Sequence, residues 1–144
     1  MKTSSASLEI RNAYDELARM AVWLREAGQT HGLPKPTIDD LDFCLGEIVT
    51  NIINYGYADG AKHRIFLTLE FGKDDVVLQV EDDGKPFDAS KKSSYIPPQS
   101  LEEAHTGGYG VFLVQQFMDE LSYSRVDGKN ILRMKALLNK KAAR

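Results

Sequence analysis

Apolar residues recur along this chain with two different periods. Tyr14, Leu17, Ala21 and Leu24 return every three or four residues, and so do Leu41, Leu45, Ile48, Val49, Ile52 and Ile53. That is the spacing of one face of a helix. The first pattern predicts a helix from about Asn12, a suitable N-cap, to about Ala27, with Gly28 at its C-cap. Pro34 and Pro36 interrupt the chain, Thr37 is placed to cap the next helix, and the second pattern predicts that helix over 38–55. The period then changes to two. Ile65, Leu67, Leu69 and Phe71 alternate with polar residues, as do Val76, Leu78 and Val80, with a Gly72-Lys73-Asp74-Asp75 turn between them. Two strands, 63–71 and 76–82, are expected. Residues 8–10 suggest a short edge strand. Val111, Val114, Met118 and Leu121 restore the helical period. Two further strands, 122–126 and 131–137, flank Asp127-Gly128, a strong hairpin signal.

Between these elements, residues 88–106 show little periodicity and contain Pro97-Pro98. So long a stretch without structure of its own is uncommon inside a compact domain, and it is read here as a lid. The tails, 1–7 and 139–144, are polar. The order strand-helix-helix-strand-strand-lid-helix-strand-strand favours an α+β fold. It would be a two-layer α/β sandwich with helices on one face of a mixed, mostly antiparallel sheet.

Composition narrows the picture modestly. At 144 residues the chain makes one domain, 1–144, with a core of about 8–137. A formal net charge of −3 gives no reason to expect nucleic acid as a partner. The single cysteine, Cys44, rules out an internal disulfide and reads as a buried, inert thiol. No apolar run approaches the roughly 20 residues of a membrane helix, and no signal-like core follows the first residues, so a cytoplasmic protein away from membranes is expected.

Three groups of residues carry candidate chemistry. Glu47 and Asn51 lie four apart, with Asn54 near the same azimuth, so one helix presents a carboxylate and two amides opposite its apolar stripe. A carboxylate beside a carboxamide suits a hard, oxygen-loving cation and proton abstraction; the alternative is a solvated helix face. Asp82 shares the parity of Val76, Leu78 and Val80 and therefore points toward the helices, where it needs a donor. The amino group of a purine would serve, and Gly84 would let a flat ligand approach the backbone; the alternative is an Asx-turn from Asp82 to Gly84. Gly107-Gly108-Tyr109-Gly110 precedes a helix and exposes backbone N–H groups suited to phosphates, although glycines also begin helices for steric reasons. His31, His63 and His105 show no metal-ligand spacing. Trp23 reads as core or interface, and Lys91-Lys92 as a solvated patch of the lid.

Taken in order, Glu47-x-x-x-Asn51, Asp82-x-Gly84-x-Pro86-Phe87 and Gly107-Gly108-x-Gly110-x-x-Leu113-Val114 resemble the N, G1 and G2 boxes of the Bergerat-fold (GHKL) ATPases. Within that superfamily the chain resembles the anti-sigma-factor serine/threonine kinases of bacterial partner-switching pathways. The resemblance runs over roughly 8–137. It implies the Bergerat ATP-binding fold, ATP and Mg²⁺ as cofactors, Glu47 as general base and Asn51 as the magnesium ligand. It also implies that Asp82 accepts the adenine amino group and that Gly84 lets adenine pack close. Asn54, Pro86, Thr106, Gly107, Gly108, Tyr109, Gly110 and Val111 would complete the nucleotide site. The implied partners are a small STAS-type anti-sigma-factor antagonist as substrate, a sigma factor, and a second copy of the chain. Two departures stand out: Tyr55 replaces a histidine common in relatives, and the lid holds no arginine. The second keeps open an ATP-gated regulator-binding module with little turnover. The ATP-binding half of a histidine kinase is disfavoured because the chain opens directly into the domain, and a chaperone-type or mismatch-repair ATPase because further domains would be needed.

Overall fold

A computed structural model describes residues 4–91 and 109–138. Within them the chain forms β1 (Ser4–Arg11), a single 3-10 turn (Tyr14–Glu16), α1 (Leu17–Thr30), α2 (Lys35–Tyr55), β2 (Arg64–Phe71), β3 (Asp75–Asp82), α3 (Tyr109–Phe117), β4 (Glu120–Val126) and β5 (Lys129–Leu137). The five strands are ordered β1-β2-β3-β5-β4, and the three helices cover one face. The sheet is antiparallel at every pairing, where a mixed sheet was expected. β4 runs to the outer edge and β5 returns between it and β3, so no two parallel strands become neighbours.

Alternation places Ile65, Leu67 and Leu69 of β2, Val76, Leu78 and Val80 of β3, and Leu132, Met134 and Ala136 of β5 against the helices. α2 crosses this surface on Ile38, Leu41, Cys44, Leu45, Ile48 and Val49, the stripe its sequence implied, and begins one turn before 38. Pro34 occupies its N-cap and Pro36 lies in its first turn. Proline loses nothing there, because first-turn N–H groups have no intrahelical partner. Thr37 is thus inside the helix. Gly28 likewise lies within α1, where a Cβ would stand 2.8 Å from Cγ1 of Ile38; its smallness sets how closely α1 approaches α2. The turn is made four residues later by Gly32 at φ +72°. On the other side of α2, Phe43 meets Phe117 of α3 edge to face at 5.3 Å.

Asn12 does not cap a helix. Its Oδ1 accepts the His63 N–H at 3.0 Å, which ties the end of β1 to the start of β2. The helical segment instead starts around Glu16, which is buried. Its carboxylate accepts the Arg11 N–H at 2.8 Å and two bonds from the Arg19 guanidinium, at 3.1 and 2.9 Å. Those bonds, Arg19's first, hold Glu16 at about 2, well below its ordinary 4.5. A depressed carboxylate pKa stabilises the fold above the unfolded-state value and loses that contribution as pH falls through the folded value. Urea titrations of wild type and Glu16→Gln should therefore differ most above pH 4.5 and converge as pH drops toward about 2. A gap independent of pH would contradict the assignment.

Candidate functional site

A cavity of about 450 Å³ opens between α2 and the ends of β3 and β5. α2 lines it with Ile48, Asn51, Ile52 and Tyr55, spaced as one helical stripe. Val80 and Leu132 form the sheet wall, and Pro86 and Phe87 form the rim in the turn after β3. The volume is in the range of small-molecule sites, and apolar walls with few polar groups are their usual chemistry.

Asp82 and Asn130 form the polar end. They are direct partners across β3 and β5, both turned toward the helices and both buried. Oδ2 of Asp82 accepts the Gly84 N–H at 2.8 Å and Nδ2 of Asn130 at 3.2 Å. Oδ1 of Asp82 makes no hydrogen bond to the described residues. Burial raises Asp82 above its ordinary value, against the pull of those two donors. Asn130 is itself held on both sides. Its Nδ2 donates to the Lys85 carbonyl at 2.8 Å, and its Oδ1 accepts from Tyr123 Oη at 2.5 Å and Arg125 Nη1 at 2.9 Å.

The Asx-turn alternative for Asp82 is thus realised together with its inward orientation. Gly84 has a further steric duty. A Cβ there would stand 2.7 Å from the Gly56 carbonyl, so the close approach it permits is to the end of α2, where that carbonyl also accepts the Lys85 N–H at 2.8 Å. Glu47 and Asn51 are half-buried on α2, and neither side chain hydrogen-bonds to a described residue. Asn51 lines the cavity. Glu47 lies beside it and faces α3; a Cβ on Gly110 would collide with the Glu47 carboxylate. Asn54 is exposed and Tyr109 is exposed, and neither they nor Gly110 and Val111 line the cavity. Thr106, Gly107, Gly108 and most of the lid, including His105 and Lys92, lie outside the described residues.

Asn130, Tyr123 and Arg125 were missed from the sequence. The signal for Asn130 was present: it shares the parity of Leu132, Met134 and Ala136, and a strand begun one residue earlier than 131 would have included it. Tyr123 and Arg125 sit on β4, where nothing local marks them.

Beside the cavity, His63 stacks on Tyr57 at 4.0 Å and bridges Asp59 and Asp83, at 3.0 and 3.2 Å. Burial alone would lower this histidine; its hydrogen bonds to the two neighbouring carboxylates outweigh that and raise it above 6.5. Cys44 is fully buried, and its thiol is pushed up to about 12 by that burial. Among the described residues no group of three or more histidine, cysteine or carboxylate side chains is placed to hold a metal, and no helix is long and apolar enough to cross a membrane.

An antiparallel sheet under three helices, with an apolar slot ending on a buried carboxylate, defines a small-molecule-binding α+β domain. The profile of the histidine kinase-like ATPase domain matches residues 10–136, and the chain belongs to that family. It is 36% identical over 92 residues to the serine/threonine-protein kinase BtrW of Bordetella bronchiseptica, covering 64% of this chain and 65% of BtrW, just under two thirds of that relative. It is 28% identical over 108 residues to the serine-protein kinase RsbW of Oceanobacillus iheyensis, covering 72% of this chain and 68% of that one. The crystal structure of the RsbU and RsbW domains of Rv1364c from Mycobacterium tuberculosis superposes with a TM-score of 0.64 at 16% identity, over 94% of this chain and 32% of that one, a likeness of fold.

The Gly84 geometry makes a direct prediction. A methyl group at this position meets a backbone carbonyl that cannot rotate away, and such overpacking costs about 1–3 kcal/mol. Gly84→Ala should lower the urea midpoint accordingly. An unchanged midpoint would mean that the Gly56 and Gly84 segments separate freely.

Proposed function

We propose that this domain binds Mg·ATP and transfers the γ-phosphoryl group to a serine or threonine hydroxyl of a partner protein. The observation that carries the reading is the pairing of two polar side chains, Glu47 and Asn51, neither with a partner among the described residues, with an apolar slot that ends on Asp82. Ile48, Ile52, Val80 and Leu132 suit the faces of a purine, and the free Oδ1 of Asp82 suits its exocyclic amino group. A hydrogen bond to a charged acceptor contributes roughly 1.5–3 kcal/mol. Asn51 fits a magnesium site because its carboxamide has no protein partner among the described residues and stands on the cavity wall; the ion, held with the phosphates, would neutralise charge there. Glu47 is the general base. Its carboxylate takes the proton as the hydroxyl oxygen bonds to the γ-phosphorus; the bond to the bridging oxygen breaks and ADP leaves. Catalysis otherwise rests on positioning. Gly107, Gly108 and Gly110, with Thr106, Tyr109 and Val111 beside them, would cradle the phosphates, and Asn54 and Pro86 would flank the site.

Similarity to BtrW and RsbW supports a serine/threonine kinase. From the sequence resemblance, the substrate is a small STAS-type anti-sigma-factor antagonist, with a sigma factor as alternate partner, in the cytoplasm. A homodimer fits the same resemblance, and β1 offers an unpaired edge of the sheet. One sequence feature favours a second reading. Residues 88–106 contain no arginine, so a nucleotide-gated regulator-binding module with slow turnover is the alternative.

The test is incubation with labelled ATP, magnesium and the candidate antagonist. Glu47→Gln should slow phosphorylation about 10²–10⁴-fold, as loss of a general base does, while ATP affinity is retained. Asp82→Asn should weaken ATP binding roughly ten- to a hundredfold. Tight ATP binding and a stable regulator complex without product would establish the alternative. Transfer unaffected by Glu47→Gln would overturn the catalytic assignment.

A further inference from the structure

We propose that Asn130 is a positioning residue for base specificity, fixing the polarity of Asp82 so that the cavity accepts a 6-amino purine and rejects a 6-oxo purine. The inference rests on the nucleotide reading above and goes beyond it, because it assigns discrimination to a side chain behind the ligand.

A carboxamide can flip, exchanging its donor and acceptor ends. Here it cannot do so without cost. Oδ1 of Asn130 faces three donors: Tyr123 Oη at 2.5 Å, Arg125 Nη1 at 2.9 Å and the Phe87 N–H at 3.4 Å. Nδ2 faces three acceptors, Asp82 Oδ2 at 3.2 Å, the Lys85 carbonyl at 2.8 Å and, more distantly, the Gly84 carbonyl at 3.5 Å. Flipping would set acceptor against acceptor and donor against donor in a buried place, where unpaired polar groups are costly. Arg125 is anchored in turn to the Gly84 carbonyl at 3.1 Å, in the turn that also donates to Asp82. Asn130 and Gly84 therefore both bond Oδ2, and among the described residues nothing bonds Oδ1, which is left to read a ligand. A carboxylate oxygen there accepts and cannot donate. It pairs with an amino group and opposes the carbonyl oxygen that guanine carries at the same position.

The network also supplies the donors that a buried Asp82 carboxylate needs. The ionisable groups around the pair are Tyr123 and Arg125 on β4, Asp83 and Lys85 in the turn and Tyr57 after α2. Of these Arg125 and Lys85 are cationic, and Arg125 is joined to Asp82 through Asn130.

The test is isothermal titration of the whole chain with ATP and with GTP in magnesium, at several pH values. In wild type, ATP binding should weaken as acid protonates Asp82. Asn130→Asp keeps the shape but places a carboxylate oxygen against Asp82 Oδ2 and the Lys85 carbonyl. Two such groups share a proton, so ATP should bind at least about tenfold more weakly near pH 8 and recover toward pH 6, a pH slope of opposite sign to wild type. Tyr123→Phe, which removes a donor remote from the ligand, should narrow the preference for ATP over GTP by about threefold while leaving the chain folded. A wild-type pH slope in Asn130→Asp overturns the proposal. If that variant does not fold, an unchanged ATP:GTP ratio in Tyr123→Phe overturns it instead. A wild type that binds neither nucleotide overturns the site reading and this proposal together, a pattern distinct from nucleotide binding that ignores both substitutions.

Discussion

A carboxylate buried under a helix layer is unstable unless its charge is met, and Asp82 is such a carboxylate. Two donors meet it. One is the Gly84 N–H, delivered by the tight turn that ends β3; the other is Asn130, delivered by the register of β3 against β5. The turn forms only because Gly84 can press against the Gly56 carbonyl, and so the end of α2 is locked to the end of β3. The cavity lies between those two ends. Its shape, the open Oδ1 of Asp82 and its position beside Glu47 and Asn51 all follow from satisfying one charge.

The rest of the molecule supplies rigidity for that arrangement. α2 is pinned over much of its length by Ile38, Leu41, Cys44, Leu45, Ile48 and Val49, and it is steadied from the sides by the Gly28–Ile38 contact with α1 and the Phe43–Phe117 contact with α3. A helix so fixed holds the backbone of Glu47 and Asn51 in place, with no hydrogen bond to either side chain among the described residues. That absence is informative. On an ordinary surface helix such residues would be dispensable; beside an apolar slot they suit the proposed roles of a base and an ion-holding oxygen.

Most of the architecture was legible from periodicity. The alternation in β2, β3 and β5 and the stripe along α2 each encode which face is buried, and burial is what the sheet and helix layers share. Asp82 was legible for the same reason, because parity alone turned it inward. Ends were harder. Thr37 and Asn12 are good caps by residue type, but Pro34 and Pro36 start α2 earlier, and Asn12 is taken by His63 just before β2, a contact 51 residues away. Gly28 read as a helix stop because sequence cannot distinguish a glycine needed for a turn from one needed for close packing. Asn130 had a parity signal, but Tyr123 and Arg125, and the link of all three to Asp82, were illegible because they act across strands. Their meaning lies in the register of β3, β5 and β4, which no local pattern reveals.

The central claim is that a purine ring lies between α2 and the β3–β5 wall with its amino edge on Asp82. Intermolecular nuclear Overhauser effects between ADP and methyl-labelled protein in magnesium test it most directly. The account predicts contacts from adenine H2 and H8 to the methyl groups of Ile48, Ile52, Val80 and Leu132. Adenine contacts confined to methyl groups elsewhere, such as Val22 on α1 or Val126 on β4, or no contacts from a saturating nucleotide, would contradict it.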